Sequence, residues 1–119
     1  MNEITLREMC TSFGVSRRAV QGYEKAGLVS ATSKNKRGHL LYNEYSQERI
    51  QKIKLFQEMG FSIKEIRDII DAPNYVLKYA LEKQIEKLKM DSAHAEKMIL
   101  VAYEMIKKLW KRWKLKRSL

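Results

Sequence analysis

A chain of 119 residues can bury one small core plus an extension, and is too short for two full domains. Its 24 Lys and Arg against 14 Asp and Glu leave a net charge of +10, which points to a polyanionic partner because these side chains displace counterions from phosphates. A single cysteine, Cys10, rules out an intrachain disulfide framework and fits a reducing cytoplasm, and no apolar run reaches the length of a membrane span or a signal peptide's core.

Thr5 and Glu8 stand at capping-box spacing, so a helix starts near Leu6 and must end before Gly14, with Cys10 among its apolar positions as a buried structural thiol. Ser16 caps a second helix over about residues 17–26, which Gly27 closes. Val15, Ala19, Val20 and Tyr23 form its buried stripe and leave Arg17, Arg18 and Gln21 off it. Two short extended tracts, 30–33 and 39–42, flank Lys34-Asn35-Lys36-Arg37-Gly38 and read as a hairpin. Asn43 caps a helix over about 44–59 whose inward face holds Ile50, Ile53, Phe56 and Gln57, ended by Gly60. Ser62 and Glu65 form a second capping box for a helix over about 63–70, and Pro73 marks a break.

Between Asn74 and about Lys116 there is neither Gly nor Pro. Ile85, Leu88, Ser92, Ala95, Ile99, Ala102, Ile106, Leu109 and Trp113 follow at alternating steps of three and four, the spacing of a coiled-coil seam. One helix of that extent would be roughly 65 Å long. A domain of about 70 residues cannot cover such a stripe, so the spacing predicts a homodimer through this helix. The competing arrangement is an amphipathic helix folded back on its own core.

The order helix, Gly turn, Arg-opened helix and basic Gly turn suits a winged helix-turn-helix, which lays one helix in the DNA major groove. Ile4 to Leu28, with Gly14-Val15-Ser16-Arg17-Arg18 and Tyr23-Glu24, then Gly38 and Tyr42, resemble the MerR family of transcription regulators over about residues 3–72. Two departures fall in the second helix, where Gln21 replaces an Arg and Gly22 a Tyr; in the wing, His39 and Leu40 replace a Tyr and an Arg. The resemblance implies DNA contacts from Ser16, Arg17, Arg18, Gln21, Tyr23, Lys36, Arg37, His39 and Tyr42. Gln21 can read adenine in bidentate fashion, and Lys36 and Arg37 can stand in for the lost wing Arg. Against this stand a solvated helix face for the Arg pair, a merely basic loop for the wing, and core positions for the two tyrosines. The resemblance also implies antiparallel pairing of the dimer helices.

The expected architecture is therefore all-α, with residues 1–72 as a winged helix-turn-helix domain bearing a small β-hairpin wing and residues 73–119 as a long coiled-coil dimerisation helix. Its expected partners are double-stranded DNA, a second copy of the chain, and RNA polymerase at the promoter, with no membrane and no cofactor. Many relatives of this kind add an effector domain or a metal loop with paired cysteines; with Leu119 last and Cys10 the one cysteine, neither is expected. Seven basic residues and two Trp lie between Lys107 and Arg117, a stretch that can meet DNA, an anionic surface, or only solvent. His39 and His94 are far apart and no Cys cluster accompanies either, so neither a zinc site nor a catalytic constellation emerges. The alternative function is an architectural, excisionase-like DNA-bending factor.

Overall fold

The computed structural model describes residues 2–89 and 93–118, with backbone only for Ala93, His94 and residues 113–118. It divides into two compact units, residues 1–55 and 56–119.

The first unit holds β1 (Ile4–Thr5), α1 (Leu6–Phe13), α2 (Arg17–Lys25), β2 (Ser33–Lys34), β3 (Leu40–Tyr42) and most of α3 (Glu44–Glu58). Thr5 ends β1 and caps α1: its hydroxyl accepts from the Glu8 amide while the Glu8 carboxylate accepts from the Thr5 amide. The hairpin is joined by this extra strand, giving an antiparallel sheet in the order β1-β3-β2 with Ile4 opposite Tyr42 and Ser33 opposite Leu41. A two-residue strand between the chain start and a cap carries too little alternation to be read from sequence.

Met9, Val20, Tyr23, Tyr42, Ile50 and Ile53 are buried here, whereas Cys10 is only half-buried, so the core position of α1 belongs to Met9 and not to the thiol. Polar side chains of α3 bind carbonyls of the preceding elements. Lys54 Nζ donates to Phe13 O at 2.9 Å, Gln47 Nε2 to Tyr42 O at 2.8 Å, Ser46 Oγ to Ser30 O at 3.1 Å, and Arg49 Nε to Leu28 O. They satisfy acceptors that a helix end or loop would otherwise leave open.

In the second unit the remainder of α3 ends in a Schellman turn: Gly60 at φ 101° lets its own amide reach Gln57 O and the Phe61 amide reach Phe56 O. Phe56 and Phe61 meet edge to face at 5.7 Å between ring centroids. Gln57 is exposed, not inward, and Met59 takes the buried position expected of it. Ser62 and Glu65 cap α4 (Ile63–Ile69) as the spacing predicts.

The expected single helix over 74–116 is two helices, α5 (Asn74–Leu88) and α6 (Ala93–Ser118), packed on each other. They run antiparallel, since Tyr75 and Lys78 near the start of α5 share a groove with Leu109 and Trp110 late in α6. Leu77, Leu81, Gln84 and Ile85 of α5 and Ala95, Met98 and Ala102 of α6 are buried within the chain. A three-and-four repeat fits two short helices folded together as well as one long helix against a partner, which is why the spacing misjudged continuity. Asp91-Ser92, residue types that favour helix starts, stood in the sequence as the contrary signal. Of the expected seam, Ile85, Ala95 and Ala102 are buried inside one chain, while Leu88, Ile99, Ile106 and Leu109 are half-exposed. Ser92 and the Trp113 side chain lie outside the described residues.

Candidate nucleic-acid interface

The exposed face of α2 is a product of its caps and its core. Ser16 Oγ accepts from the Ala19 amide at 3.0 Å and fixes the helix start. At the other end Gly27, at φ 74°, permits the Gly27 amide to bond Glu24 O and the Leu28 amide to bond Tyr23 O, both at 3.0 Å. With Val20 and Tyr23 turned into the core, Arg17, Arg18 and Gln21 are left exposed. Arg17 and Gln21 are four residues apart and therefore lie on one line of the helix surface. Gly22 is also exposed, and a Cβ there would meet nothing within 4 Å, so no crowding demands its lack of a side chain.

The wing is built around Asn35. Its Oδ1 accepts from the amides of Arg37 and His39, both at 3.0 Å, and its backbone bonds Gly38 and His39. Gly38 takes φ 82° to close this turn, which leaves Lys36, Arg37, His39 and Leu40 exposed. The root of the wing is tied down by Ser33 Oγ, which donates to Glu3 Oε2 at 2.7 Å, and by the Asn43 amide, which donates to Thr32 Oγ1 at 2.9 Å.

Wing and helices meet in an open cleft of about 460 Å³ lined by Thr5, Leu6 and Arg7 of the α1 start, Arg17 of α2, and Gly38, His39 and Leu40. It brings together two guanidinium groups and an imidazole, a donor set that matches phosphate oxygens. Arg7 belongs to this group and escaped the sequence reading; its place two residues after the Thr5 cap, outside the apolar positions of α1, was the available signal.

Tyr23 and Tyr42 do not join the surface. Tyr42 is fully buried, and its hydroxyl donates to the Glu24 carboxylate. Burial first, then the hydrogen bond and charge of Glu24, push the Tyr42 phenol far above its ordinary value. Tyr23 is buried as well. The expectation that these two rings reach phosphate is corrected: the amphipathic period of α2 and the inward alternation of β3 direct them into the core, where Tyr42 ties the wing strand to α2.

The model of the MerR HTH family of regulatory proteins matches residues 4–73. The chain belongs to the MerR family. It is 32% identical over 94 residues to the HTH-type transcriptional activator mta of Bacillus subtilis, covering 79% of this chain and 37% of that protein. To the mercuric resistance operon regulatory protein of Bacillus cereus it is 29% identical over 63 residues, 53% of this chain and 48% of the relative. The chain thus spans less than half the length of these curated MerR-type relatives. Among solved structures, the N-terminal part of the Bacillus subtilis multidrug transporter activator superposes with a TM-score of 0.65 at 29% identity, over 87% of this chain and 97% of that one. A MerR-family regulator lacking the sensor domain, solved on promoter DNA, shares the fold at a TM-score of 0.51 and 14% identity, over 98% of this chain and 89% of that one.

Proposed function

We propose that this MerR-family chain is a sequence-specific DNA-binding transcription regulator that acts as a homodimer on an inverted-repeat operator. The observation that carries the proposal is the exposed row Arg17, Arg18 and Gln21 on the first turns of α2, continuous through Arg17 with the cleft that holds Arg7 and His39. Ser16 and Arg18 flank the backbone, Gln21 reads a base edge, and Lys36 and Arg37 at the wing tip meet phosphates. Residues 1–72 are assigned to DNA and 73–119 to assembly. In this reading the chain binds and does not catalyse, it works in the cytoplasm where its DNA lies, and RNA polymerase at the same promoter is its further partner. Relatives named as activators support the regulatory role.

The dimer surface differs from the seam expected from spacing, because Ile85, Ala95 and Ala102 are already covered within the chain. Leu100 and Tyr103 instead stand exposed along α6 at helical spacing, beside half-exposed Ile99 and Ile106, and form the face offered to the second copy.

Fluorescence anisotropy on a duplex selected by the protein tests the assignment. Arg17→Ala should weaken binding by about 1–3 kcal/mol, and Arg37→Ala should lower the slope of log affinity against log salt by about 0.9 with site preference unchanged. Unaltered affinity and slope in both variants would show that this face does not meet DNA.

A further inference from the structure

A second recess lies wholly within the 56–119 unit and plays no part in the proposed DNA contacts. It occupies about 250 Å³ between the start of α5 and the late turns of α6, lined by Asn74, Tyr75, Lys78, Leu109 and Trp110. Its two aromatic walls are unusually open to solvent, Tyr75 at 75% and Trp110 at 49% exposure. Single exposed apolar residues are ordinary, but two large rings and a Leu facing one recess form a surface suited to a planar molecule.

Charge selects the class of occupant. Lys78 Nζ already stands over the Trp110 ring, 5.9 Å from its centroid, so a cationic ligand would meet the protein's own ammonium at the ring face. The start of α5 adds positive potential: α1, α2 and α4 each have a side-chain cap, but Pro73 precedes α5 without one. Pro73 O accepts from the Val76 and Leu77 amides, and the amides of Asn74 and Tyr75, first in a 15-residue helix, have no intrahelical acceptor at its positive end. Among the described residues, no acidic side chain lines the recess. The volume lies below the usual range for drug-sized ligands, so a molecule of one or two rings fits.

We propose that this groove binds a small flat aromatic carboxylate, its ring against Tyr75 and Trp110 and its charge on Lys78 and the open start of α5. Such a ligand touches both helices and stabilises their association by binding the folded hairpin alone. The inference does not rest on the DNA-binding reading.

Titration of 2-naphthoate into the Trp113→Phe variant of the 119-residue chain tests it, since Trp110 is then its sole tryptophan. Trp110 emission should change saturably, with a dissociation constant of about 1 mM or tighter, the level expected of a ligand this small. The uncharged 2-naphthamide should bind about tenfold more weakly, and Lys78→Met should cost the acid about tenfold while leaving the amide unchanged. Absence of saturation, or equal affinity of acid and amide, or indifference to Lys78→Met, would overturn the proposal. Should Trp113→Phe lose its helical circular dichroism, amide and side-chain shifts in the wild-type NMR spectrum decide: changes centred on Asn74, Tyr75, Lys78 and Trp110 support the site, and changes elsewhere or none refute it.

Discussion

Replacing Tyr42 with Phe removes a single oxygen from the joint between the wing strand and α2. The ring stays in its buried place, so the loss of stability reports the hydroxyl and its bond to the Glu24 carboxylate. A hydrogen bond to a charged acceptor contributes about 1.5–3 kcal/mol. Glu24 is half-exposed and water recovers part of its solvation, which brings the expected loss to about 1–2 kcal/mol. A double-mutant cycle with Glu24→Ala, read by urea denaturation at neutral pH, should return a coupling energy of the same size. Alkaline pH gives a second readout. The folded-state phenol titrates above the 10.0 of a free tyrosine, so its contribution is complete below about pH 10 and is lost as the pH rises toward the folded value. Wild type should therefore lose more stability than Tyr42→Phe over that range. Additivity of the two substitutions within about 0.5 kcal/mol, together with matching alkaline profiles, would refute the joint.

Gly22→Ala should stabilise the protein by about 0.5–1 kcal/mol in thermal or urea unfolding, because the added Cβ meets nothing within 4 Å on a helical backbone. Gly60→Ala should destabilise by about 2–4 kcal/mol: the residue sits at φ 101°, and its Cβ would come 2.8 Å from Gln84 Nε2, dislodging a buried amide that donates to Met59 O. Leu100 is 67% exposed, so Leu100→Asp should leave circular dichroism intact and yield monomer in light scattering, whereas Ala102→Asp, at a fully buried site, should disrupt the hairpin itself. Their cap hydrogen bonds hold the Glu8 and Glu65 carboxyls below the usual carboxylate range; the stability they add is present above an unfolded pKa near 4.5 and is lost as pH falls through the folded values. Glu8→Gln with Glu65→Gln should flatten the acid limb of a stability–pH profile.

Signals confined to a few adjacent residues were the legible ones. The capping boxes of Thr5 and Ser62, the Ser16 cap and the glycine stops at Gly27 and Gly60 each satisfy a local hydrogen-bond need, so sequence spacing alone located five helix ends. Tyr42 was harder. Its match to a family position suggested a surface role, while its actual burial depends on pairing with β1 and on Glu24, 18 residues away. Arg7 joined the cleft only through the fold, since the wing that faces it lies over thirty residues further along. The α5–α6 hairpin escaped for a related reason. An apolar period tells which residues need covering, not whether the cover comes from the same chain or another.

Selection from a pool of random duplexes, followed by sequencing, tests whether the α2 face recognises an operator. An inverted repeat whose two half-sites are contacted alike should be enriched, with Gln21→Ala relaxing preference at one base pair in each half by about 1–3 kcal/mol. Enrichment of no sequence, or an unchanged profile for Gln21→Ala together with Arg17→Ala, would contradict it.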